Sequence, residues 1–333
     1  MYDHDIGLDW AQSNMAIARV TKKGRRIHTS EYPSDVGDLK AYLKGLKGKK
    51  RLVFEESTSS QWLYTELNSC VDKLIVCDPR RNRLMTEGAK DDKIDAQKLV
   101  QLLRADAIKP VFHSGDDFIH LRKLVSGYTD IVQAGVRLKN QRAAIFRAFG
   151  KDKKEDSIED QASQFVLSVL DKNIVTYEND KSMYVKEFER LEKKYKVIRL
   201  LKSTPGLKTI NAVKVAAIVV DPKRFPSKSH FLAYCGLIKY DKLSGGRSYG
   251  KRKAAYNRTL KNVFDTAASA CINASDNNFL KKDYIYLTEV KRLPDFQARH
   301  ALARKAAILA WGVMKSEKRF NINKRRKDKA LKK

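Results

Sequence analysis

Lys90-Asp91-Asp92-Lys93-Ile94-Asp95-Ala96-Gln97-Lys98-Leu99 carries three acids within five residues. Read as a helix, it sets Asp92 and Asp95 three residues apart on one face. Two bare carboxylates that close repel by about 4 kcal/mol at an effective dielectric of ~20, so a cation belongs between them. A second reading is open, because acids also suit the solvated start of a helix. Two upstream acids bear on the choice. Asp9 lies in Asp5-Ile6-Gly7-Leu8-Asp9-Trp10-Ala11, and Glu56 ends Arg51-Leu52-Val53-Phe54-Glu55-Glu56. Acids on a first and a fourth strand, with a pair on a later helix, form an oxygen-only donor set that suits Mg²⁺ in phosphoryl-transfer chemistry.

Outward from these acids the pattern is that of a sheet. Residues 3–11, 14–21 and 26–32 read as three strands, with Lys22-Lys23-Gly24 turning between the second and third. Pro33-Ser34-Asp35 opens a helix through Leu39, Tyr42, Leu43 and Leu46, with Ser34 as its N-cap. Residues 51–56 form an apolar, central strand, 60–72 a helix, and 73–79 a fifth strand stopped by Pro79. A basic connection (Arg80, Arg81, Arg83) leads to the helix with Asp92 and Asp95. Three strands, then helix–strand–helix–strand–helix, is the order of a ribonuclease-H-like sheet, expected over residues 1–112, for which the resemblance given below implies a RuvC-like domain.

Beyond it the periodicity turns helical, so the chain reads as α/β plus α. Over residues 113–200, Leu121, Leu124, Val125, Tyr128, Ile131 and Val132 stripe one long helix, followed on it by Arg137, Lys139, Arg142 and Arg147. After the acidic break Glu155-Asp156-Ser157-Ile158-Glu159-Asp160, a second long helix is expected from near Tyr177. Its Tyr184, Phe188, Leu191, Tyr195 and Ile198 make a heptad seam. That coiled-coil seam serves either an antiparallel pair within the chain or a dimer. Residues 201–320 read as a mostly helical domain. In it Thr204-Pro205-Gly206-Leu207 forms a helix-hairpin-helix-like joint, with helices over 211–220, 228–238 and 297–314. A proline-glycine turn feeding a helix offers N–H groups to a phosphate, and is equally a structural joint. Residues 239–253 read as a flexible basic loop, and 321–333 as a basic tail.

Composition narrows the partners. The 333 residues carry 68 basic against 39 acidic side chains, a net charge of +29, which points to a nucleic-acid partner. No stretch approaches the ~20 apolar residues of a membrane span, so no membrane role is expected. Cys70, Cys77, Cys235 and Cys271 lack zinc-type spacing and disulfide-rich density, and no two histidines form a metal-type pair. A cytoplasmic, nucleoid-associated protein with reduced thiols is the expectation.

Ser244 is the second candidate. It precedes Gly245 and Gly246, which lack a Cβ and admit a substrate backbone closely, while Arg247, Lys251, Arg252 and Lys253 offer charge to phosphates. Attack by its hydroxyl on a phosphodiester would give a covalent phosphoserine. Ser-Gly-Gly is also an ordinary turn.

Taken together, Gly7-Leu8-Asp9-Trp10-Ala11, Phe54-Glu55-Glu56-Ser57-Thr58, Asp92-Lys93-Ile94-Asp95-Ala96, Ser203-Thr204-Pro205-Gly206-Leu207, Tyr234-Cys235-Gly236-Leu237 and Ser244-Gly245-Gly246 occur in a specific order. In that order the chain resembles the DEDD-type insertion-sequence transposases that include the Piv and MooV DNA invertases, some of which use a bridge RNA. The resemblance covers residues 5 to 315. It implies that Asp9, Glu56, Asp92 and Asp95 bind Mg²⁺, with Mn²⁺ as the alternative, and that Ser244 is the nucleophile. Glu55 competes with Glu56. Glu56 is preferred because the family motif sets its acid directly before a small residue and a threonine, here Ser57-Thr58. Trp10 and Ser59-Ser60 depart from the family pattern. The implied partners are DNA (element ends and target), a structured guide RNA and further copies in a dimer or tetramer. The implied nucleic-acid contacts are Arg137, Lys139, Arg142, Arg147, Arg247, Lys251, Arg252 and Lys253. The rival readings are a hydrolytic RuvC-like nuclease or junction resolvase, and a non-catalytic RNA- or DNA-binding protein.

Overall fold

The computed structural model describes residues 2–79, 91–115, 118–152, 158–275 and 278–321. Arg80, Arg81 and Arg83, part of the acidic break, and the basic tail beyond Asn321 lie outside them. The chain forms two compact units, residues 1–116 and 117–333.

The first unit is a mixed sheet with helices on both faces. Its elements run β1 (His4–Trp10), β2 (Asn14–Thr21), β3 (His28–Pro33), α1 (Val36–Gly45), β4 (Lys50–Glu55), α2 (Ser60–Leu67), β5 (Lys73–Cys77), α3 (Asp92–Arg104) and β6 (Pro110–Val111). The strand order among the described residues is β3-β2-β1-β4-β5-β6. β1–β2 and β2–β3 pair antiparallel, β1–β4 and β4–β5 parallel, and the two-residue β6, which the sequence pattern did not reveal, pairs antiparallel to β5.

Side-chain alternation sorts this unit into two cores. Ile6, Leu8, Leu52, Phe54 and Val76 bury one face against Leu39 and Leu43 of α1 and Leu63 and Leu67 of α2. The other face takes α3: Ala16, Ala18 and Val20 meet Ala96 and Val100, and Val53 and Cys77 meet Leu99 and Leu103. Gly7 is what lets α3 lie down, since a Cβ there would come within 2.4 Å of the Ala96 carbonyl oxygen. The cap of α1 differs from expectation. Asp35, not Ser34, accepts from the Asp38 N–H at 2.9 Å, while the Ser34 hydroxyl donates to the Ala11 carbonyl at 2.8 Å.

The second unit begins with α4 (Phe118–Ala148) and α5 (Gln161–Lys194). The two run antiparallel: Tyr128 packs edge-on to Phe188, Gly135 faces the Tyr177 ring, and Arg142 reaches Asp171 at 2.6 Å. Tyr184, Phe188 and Leu191 of the heptad seam are thus used within the chain. α5 starts well before Tyr177, because Asp160 caps it by accepting from the Ser163 N–H at 2.7 Å.

After α6 (Lys196–Leu201) come α7 (Thr209–Val219), a 3₁₀ turn (Pro222–Arg224), α8 (Lys228–Tyr234), the strands β7 (Tyr240–Ser244) and β8 (Arg247–Arg252), α9 (Arg258–Asn273), α10 (Phe279–Ile285), a π turn (Tyr286–Val290) and α11 (Asp295–Ser316). Leu121, Phe188 and Leu191 share one core with Val213 and Ala216 of α7, Phe264 of α9 and Trp311 of α11. Burying an aromatic or leucine side chain there contributes about 1.5–3 kcal/mol. Residues of the 113–200 and 201–320 regions therefore share one core.

The Pro-Gly joint is structural. Gly206 sits at φ +81°, and a Cβ on it would lie 2.2 Å from the Ala267 carbonyl oxygen of α9. The first turn of α7 already meets a carboxylate, for Glu192 accepts from the Thr209 hydroxyl at 2.9 Å and from Lys202 at 2.7 and 2.8 Å. That arrangement argues against the phosphate reading of this helix start.

Candidate functional site

The sheet and α3 bring acids to one face. β1 and β4 run parallel with Gly7 beside Val53 and Leu8 beside Phe54, so the next pair outward is Asp9 beside Glu55. Both carry the parity of Gly7 and Val53, and therefore face α3. Asp92 and Asp95 occupy the first turn of that helix. Asp91 is its N-cap, accepting from the Lys93 N–H at 2.8 Å, which gives it a structural task distinct from Asp92.

Electrostatics registers the crowding. Burial pushes the Asp9 carboxyl up to about 6, and the neighbouring charges of Asp92, Asp95 and Glu55 push the same way. Glu55 is raised as well, by burial first and then by Asp95, with Lys98 opposing. Lys98 holds Asp95 at 3.1 Å, and Lys93 reaches Glu31 at 3.1 Å. Beneath Glu55 on β5, burial and then Glu55 push the Cys77 thiol up to about 12, so it stays protonated and inert.

The strand register sets Glu55, rather than the motif's Glu56, beside Asp9 on the face that meets α3. Glu56 lies past the end of β4, exposed, with its N–H donating to the Cys77 carbonyl at 2.9 Å. Glu55 Oε1, in contrast, is buried and lacks a hydrogen-bond partner among the described residues. A buried carboxylate oxygen without a partner costs free energy unless a proton or a cation satisfies it. Among the described residues no three Asp, Glu, His or Cys side chains converge as a finished metal shell. By donor type and charge, though, the face fits a hard divalent cation: oxygen ligands only, one of them orphaned, with Asp9 repelled by the other three.

Ser244 belongs to the other unit. Residues 239–253, expected as a loop, hold the two-stranded hairpin of β7 and β8, with Ser244 paired to Arg247 across the turn. Gly245 at φ +54° and Gly246 at +77° fill the two positions that a tight hairpin turn requires to be left-handed. Every residue of the two strands but the half-buried Lys242 is exposed; Leu243 and Tyr249 are 66% and 67% accessible, and the Lys242 ammonium sits 5.7 Å from the Tyr249 ring centroid. Arg247, Lys251 and Arg252 lie along exposed β8, with Lys253 just after it. Its edges carry no apolar face of their own, so its sequence gave little strand signal.

The α4 cations divide. Lys139 pairs with Glu178 and Arg142 with Asp171, both across to α5, so these two fasten the helical pair. Arg137 and Arg147 stay exposed.

Two family models match this chain. Residues 6–149 match one described as the DEDD transposase of the IS110 type, and residues 198–284 match one described as the transposase of the IS116/IS110/IS902 family. The first match spans the acidic sheet and α4, the second the joint, α7–α9 and the Ser244 hairpin. No curated protein matches the chain. Among the described residues no helix is long and apolar enough to cross a membrane.

Proposed function

Because the chain belongs to the DEDD-type insertion-sequence transposases, enzymes that cut and rejoin DNA, we propose that it is a site-specific recombinase working through a covalent link between DNA and Ser244. The observation that carries this reading is the acidic face, where Asp9 and Glu55 stand side by side opposite Asp92 and Asp95, and where burial and neighbouring carboxylates raise the proton affinity of Asp9 and of Glu55. The β3-β2-β1-β4-β5 order, antiparallel then parallel, supports the ribonuclease-H-like assignment of this unit.

Asp9, Glu55, Asp92 and Asp95 would hold Mg²⁺, with Mn²⁺ as the alternative. When bound, that ion supplies positive charge against the charge that builds on a phosphate in the transition state. The serine does the covalent work. Its Oγ forms a bond to phosphorus as the bond from phosphorus to a deoxyribose oxygen breaks; the Oγ proton is released to a base, and the departing oxygen leaves as a hydroxyl. The phosphoserine keeps the bond energy, so a second DNA hydroxyl can attack it, restore Ser244 and rejoin the strand. Gly245 and Gly246 leave the hairpin turn without side chains where the DNA must come close.

Arg137, Arg147, Arg247, Lys251, Arg252 and Lys253 are the exposed cations assigned to nucleic acid. The excess of +29 leaves charge for a structured guide RNA beside the DNA ends and target, and for residence on the nucleoid. Exposed apolar side chains along α5, such as Phe165 and Met183, support a dimer or tetramer.

Strand cleavage tests the reading. Labelled DNA carrying the element ends and flanks, with co-expressed flanking RNA and Mg²⁺, should be cut by the wild type and by neither Asp9→Asn nor Ser244→Ala. Cutting that persists in Ser244→Ala would replace recombination through serine by plain hydrolysis.

A further inference from the structure

A second basic feature of the 117–333 unit was not visible in any one stretch of sequence. A cleft of about 600 Å³ opens between the root of the β7–β8 hairpin, α9 and α11. Lys239 enters it from just before β7 and Lys253 from just after β8; Lys261 comes from α9, and His300 and Arg304 from α11. Phe296, 70% exposed, stands on its lining. Asp265 is the acid on the wall, 4.0 Å from Lys261, and Arg299 is engaged by Asp295 at 2.8 Å. Basic charge therefore dominates the cleft.

The root of the hairpin is fixed on this cleft rather than hung over it. A Cβ on Gly236, at φ +68°, would lie 2.4 Å from the Tyr256 ring, and the Asn257 N–H donates to the Tyr234 carbonyl at 2.8 Å. Those contacts tie the end of α8 to the start of α9 and hold the two hairpin strands at their base. The cleft also acts on His300. Burial first, then Arg304 and more weakly Lys261, hold its imidazole below the ordinary range, while Asp265 and a hydrogen bond to the Leu237 backbone oppose them. An imidazole kept neutral among cations, with an aromatic ring beside it, suits a strand of alternating phosphates and bases.

We infer that this cleft holds the DNA strand that Ser244 cuts, gripping its phosphates through Lys253, Lys261 and Arg304 and leaving Phe296 to a base. The inference rests on the serine reading above for its choice of DNA over RNA. Lys239 and Lys253 join the cleft to the five-residue β7 and six-residue β8, whose length of roughly 17–20 Å separates the cleft from Ser244. A strand backbone bound in the cleft can follow the exposed cations of β8 to the serine.

The test uses the full-length protein and one labelled single strand in DNA and RNA versions, with affinity measured by anisotropy over a salt series. Lys261→Gln with Arg304→Gln should flatten the salt slope for DNA by about 1.4, at ~0.7 per lost phosphate contact on a single strand. Lys261→Arg with Arg304→Lys should restore the slope, which separates charge from folding. Ser244→Ala should leave it unchanged while abolishing the DNA adduct. An unaltered DNA slope in the Gln pair overturns the inference, and so does a loss confined to RNA. If Ser244→Ala still cuts but the Gln pair flattens the slope, the cleft stands and the serine reading falls. If the adduct needs Ser244 and the slope is unmoved, the reverse holds.

Discussion

Asp9 and Glu55 are neighbours on adjacent parallel strands, one residue beyond the paired Leu8 and Phe54, and both turn toward the first turn of α3. Their adjacency is a stability cost in the absence of a counter-charge. It sets the first prediction.

Asp9→Asn should stabilise the fold at neutral pH. The Asp9 carboxyl is raised from 3.8 to about 6, so the native state holds its proton more tightly than the unfolded chain does. Stability then falls as pH rises from about 4 through 6, and the full cost is present above that. A rise of that size corresponds to about 3 kcal/mol, which partial solvent exposure reduces to roughly 1–2 kcal/mol. Thermal melts should show Asp9→Asn gaining stability at pH 7.5 and no difference near pH 3.5. Added Mg²⁺ should raise the wild-type Tm and leave the variant's unmoved.

Glu55→Gln should abolish DNA cleavage, whereas Glu56→Gln should retain it within a few-fold. The buried Oε1 that lacks a partner among the described residues belongs to Glu55, and Glu56 lies exposed beyond the strand end. Parallel cleavage gels decide the point, and the opposite ranking would return the role to Glu56.

Gly7→Ala should destabilise the first unit by about 1–3 kcal/mol, because its methyl group meets the Ala96 carbonyl of α3 at 2.4 Å. Urea denaturation followed by tryptophan fluorescence reads this, Trp10 and Trp62 packing edge-on in the same unit. A neutral result would mean that α3 lies farther from the sheet.

The basic residues should separate by task. Lys139→Gln with Arg142→Gln removes the two pairs to α5 and should lower the Tm by a few degrees with a small change in DNA affinity; exposed ion pairs contribute ~0.2–1 kcal/mol each. Arg247→Gln with Lys251→Gln on exposed β8 should leave the Tm alone and weaken DNA binding most at low salt. Melts and salt titrations of both pairs check the division.

How much of this was legible depended on where the signal lived. The strands of the sheet and the helix of Asp92 and Asp95 show in apolar alternation, and Asp9 falls at the strand end expected for it. That Glu55 rather than Glu56 shares the face of Asp9 needed the side on which α3 lies, because parity in a strand buried on both sides is silent about direction. The 240–252 hairpin was read as a loop because Arg247-Ser248-Tyr249-Gly250-Lys251-Arg252 is exposed on every residue and shows no alternation. The start of α5 was missed although Asp160 is a cap residue in plain view, since Phe165 and Val166 are exposed and lie outside the buried seam. The basic cleft could not be read at all: its walls come from residues 236–239, 253–269 and 293–304, which only folding brings together.

If Ser244 becomes covalently joined to DNA, peptide mapping will find the adduct on it. The wild-type protein would be incubated with its element-end DNA, flanking RNA and Mg²⁺, then denatured, digested with nuclease and protease, and analysed by mass spectrometry. The account predicts a nucleotide phosphate on the peptide that contains Ser244, lost in Ser244→Ala and in Asp9→Asn. Cleaved DNA with that peptide unmodified, or with the phosphate on another residue, would contradict it.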